Sequence, residues 1–279
     1  MEGDARAIHK ARVASRRVRE ALPIVLASAP GKKSRKLRTR VERVTRALGP
    51  VRETDVSLAL IDELATPDTV LGWDVVRQRL QIERRRRHQR LVSKLEDFDA
   101  RRLQTRTARL IVREPEPDGM EQRLPGTAVL VLRLTKRVQE LDEAVHGAGP
   151  LYAPEPIHGV RIAVKKLRYA FELARDLKLL SAPRVLTGLR NTQRTLGRLH
   201  DLQVLSAHVA ACRAEVPASA EQADMLDIIT ARLDEECRRL HARFVARREK
   251  LLAVADEALA DVAERAASVA EDADKATVH

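Results

Sequence analysis

The chain has 279 residues, of which 44% are hydrophobic, so it is long enough and apolar enough to bury a substantial core. Lys and Arg together number 52 against 40 Asp and Glu, which gives a formal net charge of +12 and favours an anionic partner. Two cysteines, Cys212 and Cys237, are too few for a disulfide framework, and the sequence shows neither a signal peptide nor a membrane-spanning stretch. We therefore expect a cytoplasmic protein that is not embedded in a membrane.

Apolar residues recur at intervals of three and four along most of the chain, a period that predicts amphipathic helices. Proline and glycine interrupt this period and set the predicted helix boundaries. No stretch favours a strand, so we predict an all-α fold. In chain order, the predicted helices lie near residues 5–28, 33–64, 68–98, 100–112, 126–146, 157–180, 183–214, 219–249 and 251–273.

The stretch between the fourth and fifth predicted helices differs in composition from the rest of the chain. It contains Pro115, Pro117 and Pro125 together with several acids, so we interpret residues 113–125 as an exposed linker. This linker divides a single domain, residues 1–279, into a first half at 1–112 and a second half at 126–279.

An internal repeat relates the two halves. Each basic residue or histidine of the segment 8–19, except Lys10, has a basic residue or histidine at the matching position of 157–168. Because three matches occur in the same order, at offsets of 149, 148 and 153 residues, they indicate a duplicated helical half. The matching segments are 8–19 with 157–168, 46–53 with 194–201, and, more weakly, 86–90 with 239–243.

The basic residues of the repeated helix share one face when the chain is drawn at 100° per residue. In the first copy this arc of about 80° holds His9, Arg12, Arg16 and Arg19, flanked by Arg17. In the second copy it holds His158, Arg161, Lys165 and Arg168, flanked by Lys166. The opposite face predicts a core-facing stripe, formed by Ala11, Ala14, Val18, Ala21, Leu22 and Val25 in the first copy and by Val160, Ala163, Leu167, Ala170 and Phe171 in the second.

In this interpretation neither arc contains an acid, so the cations of each arc repel one another and a polyanion relieves the repulsion. Arginine suits phosphate because its planar guanidinium bonds two oxygens at once. Charge is also uneven along the chain, with a net −5 over residues 251–279 and +17 over residues 1–250. The stretch from Glu83 to Arg90 has five arginines and no apolar residue, which predicts that it projects from the core or lines a polar cavity.

Two motifs occur in both halves: His-x-x-Arg-x-x-x-(Arg/Lys)-(Arg/Lys)-x-Arg and, downstream, Leu-Gly-x-x-(Arg/His)-(Asp/Glu). With these motifs the chain resembles the CHAD domain, the conserved histidine α-helical domain, over essentially its whole length. The resemblance implies two four-helix-type bundles related by pseudo-twofold symmetry, whose basic side chains converge on a groove or pore. It also implies inorganic polyphosphate as the ligand and localisation at polyphosphate granules.

The resemblance further implies which residues contact polyphosphate, and we add His88 and His241 from the third match. In the first half they are His9, Arg12, Arg16, Arg17, Arg19, Arg46, Arg52 and His88. In the second half they are His158, Arg161, Lys165, Lys166, Arg168, Arg194, His200 and His241. Where the motif commonly has Asp, the second half has Asp201 but the first half has Glu53.

Three other classes of function compete with this interpretation. A metal site is disfavoured because Arg12 and Arg161, rather than ligating acids, follow His9 and His158 by three residues. Enzymatic activity is disfavoured because the sequence has no GxxxxGK[ST], HExxH or GxSxG motif, and no cofactor is expected. Sequence-independent binding of nucleic acid is the main alternative; it is weakened because no aromatic residue interleaves with the basic arcs.

Overall fold

The structure, a computed structural model, describes residues 2–26, 31–96, 98–112, 126–181, 184–215 and 219–277. Among these residues there are nine helices and no strand, so the predicted all-α fold is confirmed. The predicted linker at 113–125 lies outside the described residues. The helices are α1 (Glu2–Val25), α2 (Lys32–Leu64), α3 (Val70–Leu95), α4 (Ala100–Val112), α5 (Gly126–Ala148), α6 (Pro154–Asp176), α7 (Arg184–Glu215), α8 (Ala220–Val245) and α9 (Arg248–Thr277).

Local backbone features define both ends of α6. Pro154 occupies the first turn, where its missing N–H costs no helical hydrogen bond. After the helix, Lys178 adopts a left-handed conformation with φ of 60°. The Lys178 amide donates to the Arg175 carbonyl, and the Leu179 amide donates to the Ala174 carbonyl. This pair of bonds is the Schellman pattern, which satisfies carbonyls that the end of a helix leaves unpaired.

The helices form two compact units, and each unit is assembled from three separate segments of the chain. The long helices α1, α2 and α7 contribute residues to both units. The predicted halves, 1–112 and 126–279, depend on the sequence repeat and stay a prediction. Unit 1 consists of Met1–Arg16, Val41–Asp99 and Thr195–Arg243, and unit 2 consists of Arg17–Arg40, Ala100–Arg194 and Phe244–His279.

Part of the core of unit 1 lies where α1, α2 and α3 meet. Ile8 of α1, Leu48 and Val51 of α2, and Leu91 of α3 are all buried there. Two turns earlier on α3, the helix contacts α2 through an ion pair: Arg84 Nε donates to Asp55 Oδ1 of α2 at 2.6 Å. The arginine-rich stretch of α3 thus contacts α2 through Arg84 and Arg87, while Arg85, Arg86 and Arg90 are exposed.

The core of unit 2 is centred on α6, which packs against α5, while α5 also packs against α9. The apolar stripe predicted for α6 is confirmed, because each of its members is buried. Burial extends beyond this stripe, because Tyr169, which lies near the basic arc, is buried as well. The buried members of the predicted stripe are Val160, Ala163, Leu167, Ala170 and Phe171.

The apolar stripe predicted for α1 is wrong over the first half of the helix. Leu22 is buried as predicted, but Ala11, Ala14 and Val18 are exposed, whereas Ile8 is buried. Ile8 and Leu22 lie at about 260° and 220° from His9 on the helical wheel, which is beside the basic arc rather than opposite it. The larger aliphatic side chains set the inward face because they bury more apolar surface than alanine does.

Because the inward face of α1 differs from the predicted one, the basic arc has a different environment. Arg12, Arg16 and Arg19 lie half-buried instead of on a fully solvated face, while His9 remains exposed. Long arginine stems can pack along apolar neighbours while the guanidinium stays near water. The cations of α1 are therefore held by the packing of the helix.

Two further findings bear on the sequence predictions. Cys212 and Cys237 are buried, and neither forms a disulfide. As far as the chain is described, none of its helices combines enough length with enough apolar sequence to span a lipid bilayer.

Candidate functional site

The predicted site residues divide equally between the two units. Unit 1 contains the exposed His9 and Arg46, the half-buried Arg12, Arg16, Arg52, His88 and His200, and the buried His241. Unit 2 contains the exposed Arg17 and Arg194 and the half-buried Arg19, His158, Arg161, Lys165, Lys166 and Arg168. His241 is only 5% exposed, so we leave it out of the surface that a dissolved polyanion can reach.

In unit 1, basic residues of α1 and α2 come together around His9. Desolvation by neighbouring atoms lowers the pKa of His9, and the charges of Arg52 and Arg16 lower it further. Arg52 belongs to the second motif and Arg16 to the first, so packing joins two motifs that the sequence separates. A lowered pKa means that the protonated imidazole is disfavoured while no anion offsets the nearby guanidinium charges.

Arg12 crosses from α1 to the backbone of α2. Its Nη1 atom donates a hydrogen bond of 3.3 Å to the Thr45 carbonyl. A Cβ atom built on Gly49 would lie 2.9 Å from the same Nη1 atom. Gly49, in the Leu-Gly motif of the first half, thus leaves room for an arginine. A Cβ on Gly197, its counterpart in the second half, would meet nothing within 4 Å.

Glu53, the acid of the Leu-Gly motif in the first half, pairs with α3. Arg87 donates from Nη1 to Glu53 Oε1 at 3.2 Å and to the Pro50 carbonyl at 2.9 Å, and its Nη2 atom lies 2.6 Å from Glu83 Oε1. Glu53 therefore forms a salt bridge although the motif commonly has the shorter Asp at its position. Arg87 is held at the edge of the motif by groups from two helices.

A histidine that the sequence analysis did not select extends this polar network. His208 of α7 is half-buried, and its Nδ1 atom lies 3.8 Å from Glu83 Oε2. Burial lowers the pKa of His208, and the charge of Glu83 opposes that effect. No repeat or motif of the sequence includes His208, so only the packing of α7 against α3 within unit 1 reveals it.

In unit 2, Arg168 is held by three neighbours. Its Nε atom donates to Gln193 Oε1 at 2.7 Å, its Nη1 atom forms a salt bridge with Glu172, and its guanidinium lies 4.4 Å from the centroid of the Tyr169 ring. Glu172 lies at about 320° on the wheel of the second copy, within the basic arc. The prediction that neither arc contains an acid is therefore wrong, and continuing the wheel by one turn would have revealed Glu172.

The first arc also meets an acid, because Glu20 lies at about 20° on its wheel. Glu20 is only 7% exposed and stands among three arginines. Its Oε2 atom accepts from Arg133 Nη2 at 2.8 Å and lies 3.9 Å from Arg137 Nη2, while Oε1 lies 3.6 Å from Arg19 Nη2. Arg133 and Arg137 were not selected from the sequence, although their spacing of four residues on α5 places them on one helix face.

A second carboxylate continues the same cluster. Glu140 Oε2 accepts from Arg137 Nη1 at 2.6 Å and from Lys166 Nζ at 3.5 Å. Burial acts to raise the pKa of Glu140, but the hydrogen bond from Arg137 and the positive charges of Arg137 and Lys166 outweigh it, so this pKa is lowered. Glu140 is thus an anion that helps to fix Lys166, a residue of the His-x-x-Arg motif in the second half.

Both units consequently present basic side chains fixed by helix packing, suited to binding anionic oxygens. Among the described residues, no group of three His, Cys, Asp or Glu side chains is arranged to hold a metal ion.

Comparison with known proteins identifies the family. The model of the CHAD domain matches residues 1–210. The crystal structure of the CHAD domain from the plant Ricinus communis is similar with a TM-score of 0.63 and 23% identity, covering 88% of this chain and 80% of that one. PptA from Streptomyces chartreusis is similar with a TM-score of 0.62 and 17% identity, covering 91% and 90% of the two chains. A search of curated proteins found no match. Since the family model matches most of its residues, the chain belongs to the CHAD domain family.

Proposed function

We propose that this protein binds inorganic polyphosphate through the basic side chains of both units and catalyses no reaction on it. The observation that carries the proposal is the grouping of Arg16 and Arg52 near His9: desolvation lowers the pKa of that histidine most, and the two guanidinium charges lower it further. Cations held this close repel one another, and a bound phosphate group would remove the repulsion and favour protonation of the imidazole. The proposed contacts are His9, Arg12, Arg16, Arg17, Arg19, Arg46, Arg52, His88, His158, Arg161, Lys165, Lys166, Arg168, Arg194 and His200.

The half-buried state of most of these side chains supports a polyanion rather than scattered counter-ions. A charge that is partly removed from water interacts more strongly with an opposite charge than a solvated one does. Arginine adds directional donors that match phosphate oxygens in pairs. Arg12 and Arg168 are also fixed by neighbouring groups, so less side-chain freedom is lost when a ligand binds.

The aromatic side chains favour polyphosphate over single-stranded nucleic acid. Trp73, Tyr169, Phe171 and Phe244 are buried, and Phe98 and Tyr152 are half-buried, so none of the six aromatic rings is an exposed platform. Proteins that bind single strands commonly stack successive bases on such rings. Polyphosphate has no bases and requires no platform. Nucleic acid remains the alternative partner against which the proposal is tested.

Association with polyphosphate granules in the cytoplasm is part of the same proposal. A granule offers many identical phosphate units, so a protein with basic clusters in two units would be retained there by repeated contacts. Its role would be that of a granule-bound binding protein.

Competition between polyanions tests this function. Labelled long-chain polyphosphate is bound to the protein and then displaced by unlabelled polyphosphate, single-stranded DNA, RNA or duplex DNA at equal phosphate concentration. We expect polyphosphate to displace the label at the lowest concentration, because it is thin, flexible and free of bases. Equal displacement by DNA or RNA would place the nucleic-acid function first.

The salt dependence of binding provides a second measurement on the same complex. Each phosphate that the protein neutralises releases condensed counter-ions, so affinity should fall steeply as salt rises. By analogy with nucleic acids, the log–log slope should be about 0.7 to 0.9 per neutralised phosphate. A titration that gives the same affinity at every ionic strength would contradict electrostatic binding.

A further inference from the structure

Six charged side chains of unit 2, which we call the Glu20 cluster, are joined by ion pairs. Three helices contribute to it, and its four cations face only two carboxylates. The cluster therefore carries an excess of positive charge in a partly buried position. Its members are Arg19 and Glu20 of α1, Arg133, Arg137 and Glu140 of α5, and Lys166 of α6.

Glu20 is the central anion of this cluster, but it pairs incompletely with the arginines. Of the three guanidinium groups around it, only that of Arg133 lies within hydrogen-bond distance, at 2.8 Å. Arg19 and Arg137 lie 3.6 Å and 3.9 Å away, where attraction persists without a good hydrogen bond. One carboxylate is too small, and carries too little charge, to satisfy three guanidinium groups.

The arginines also have donors that the protein leaves unused. The buried Nε atoms of Arg133 and Arg137 have no hydrogen-bond partner. Arg137 directs its Nη1 atom to Glu140, so its guanidinium is shared between two carboxylates. A phosphate group offers more acceptor oxygens than a carboxylate and takes paired hydrogen bonds from arginine. The arrangement thus has the donors and the charge for a stronger anion than Glu20.

We propose that Arg19, Arg133 and Arg137 form a phosphate-binding site, and that Glu20 is an internal counter-anion whose carboxylate the ligand displaces. This inference rests on the proposed function, because it takes the ligand to be a phosphate group of polyphosphate. Without ligand, Glu20 keeps three mutually repelling arginines in place. When ligand arrives, the same carboxylate competes with it, so Glu20 sets an upper limit on the affinity of the site.

The replacement Glu20→Gln tests the inference because it keeps the shape of the side chain and removes the competing charge. We expect polyphosphate affinity to rise by about tenfold, the effect of one charge-assisted hydrogen bond. We also expect the salt dependence to steepen by about 0.7 to 0.9, the contribution of one more neutralised phosphate. The matched control is Glu143→Gln, an exposed acid of α5 that removes the same charge away from the cluster.

A second variant keeps the test decisive if Glu20→Gln fails to fold. Arg133→Gln leaves Glu20 paired with two arginines and removes one proposed phosphate contact, so affinity should fall and the salt dependence should become shallower. Its control is Arg175→Gln, which removes an exposed arginine that pairs with Asp176. Thermal unfolding of each variant shows whether the fold is kept.

The outcomes separate this inference from the proposed function. If the unmodified protein binds polyphosphate but Glu20→Gln binds no more tightly than Glu143→Gln, or Arg133→Gln binds as tightly as Arg175→Gln, the Glu20 site is wrong and the proposed function stands. If the unmodified protein does not bind polyphosphate, the proposed function is wrong. In that case the Glu20 site is tested with tripolyphosphate. It should raise the thermal unfolding temperature of Glu20→Gln by more than it raises that of Glu143→Gln. Equal shifts would overturn the inference.

Discussion

Arg12 illustrates how the absence of a side chain on one helix positions a charge on another. Its guanidinium lies so close to Gly49 that a Cβ there would be 2.9 Å from Nη1, and this approach allows the hydrogen bond to the Thr45 carbonyl. Glycine in the middle of a helix otherwise weakens it, because the unfolded chain has more conformations to lose. Gly49 inside α2 thus leaves room for a cation of α1.

Replacement of this glycine gives a prediction at the scale of single residues. Gly197→Ala should raise the free energy of unfolding by about 0.8 to 1 kcal/mol, the gain from alanine in a helix interior. Gly49→Ala should gain less, because its Cβ displaces the Arg12 guanidinium and weakens a hydrogen bond worth about 1 kcal/mol. Urea unfolding of both variants measures the difference, and Gly49→Ala should also bind polyphosphate more weakly.

A control separates the contact with Arg12 from another effect at the same position. Pro50 follows Gly49, and proline disfavours helical geometry in a preceding residue that has a Cβ. In an Arg12→Ala background the effect of Pro50 remains while the contact with the guanidinium is gone. Gly49→Ala should therefore be more favourable in that background than in the unmodified protein. Equal effects in the two backgrounds would contradict the role assigned to Gly49.

Among the elements, α1 and α6 share a motif yet bury different faces. Val160, Ala163 and Leu167 of α6 are buried, whereas the equivalent Ala11, Ala14 and Val18 of α1 are exposed. Helix α6 packs against α5, which covers part of its surface. A repeated sequence thus has different burial in its two copies.

Ala14 and Ala163 allow a direct test of this difference in burial, because the same residue occupies the same repeat position in both helices. Ala14→Gln should change the free energy of unfolding by less than about 0.5 kcal/mol, as is usual at exposed positions. Ala163→Gln should cost about 3 kcal/mol or more, since it overpacks the core and buries an amide. Denaturant unfolding compares them directly. Similar costs would mean that α1 is packed as α6 is.

The helices were predictable from the sequence, but the inward face of α1 was not. Proline and glycine mark most of the helix boundaries in the sequence, though not those between α3 and α4 or between α8 and α9. The apolar stripe of α6 contains large side chains such as Leu167 and Phe171. The stripe assigned to the first half of α1 consisted mainly of alanine, which gains little from burial and so does not fix the orientation of a helix. Two large residues, Ile8 and Leu22, decided it instead.

The candidate site was predictable where its residues are neighbours along the chain. The basic arcs follow from a repeat of twelve positions, but Glu20 and Arg133 are separated by 113 residues and meet only through packing within unit 2. Ion pairs between distant segments leave no periodic pattern in a sequence. For the same reason His208, whose neighbour Glu83 belongs to another helix, was not predicted.

At the scale of the whole molecule, the predicted site residues are shared by both units but the net charge is not. Unit 1 has 21 Lys and Arg against 21 Asp and Glu, whereas unit 2 has 31 against 19. Each unit contains eight of the predicted site residues, so each has basic side chains for a polyanion. Carboxylates pair with three of them in unit 2: Glu20 with Arg19, Glu140 with Lys166 and Glu172 with Arg168. The net charge of +12 therefore belongs formally to unit 2, and in unit 1 the basic site residues are balanced by acids elsewhere in the unit.

A double-mutant experiment tests whether one polyphosphate molecule contacts both units. Arg16→Glu of unit 1 and Lys165→Glu of unit 2 should each weaken binding strongly, and together they should cost less than the sum of the two. Once either cluster is lost, the other contributes less to holding the same ligand. Lys136→Glu, at an exposed position of α5, is the control for the change in net charge.

Strict additivity in that experiment would indicate two independent surfaces. Because Arg16 and Lys165 are half-buried, the variants must also be compared by circular dichroism and thermal unfolding. A variant that keeps the helical signal and the unfolding temperature of the control attributes its loss of affinity to the missing cation.

The assembly of each unit from three separated segments has a consequence for synthesis of the chain. Unit 1 needs residues as late as Arg243, and unit 2 needs the segment after it. At ribosomal rates of about 5 to 20 residues per second, the first residues of α1 wait on the order of 10 to 50 seconds for their final neighbours. During that interval the basic residues of α1 are without the packing of the finished units, so they attract a nearby polyanion by charge alone.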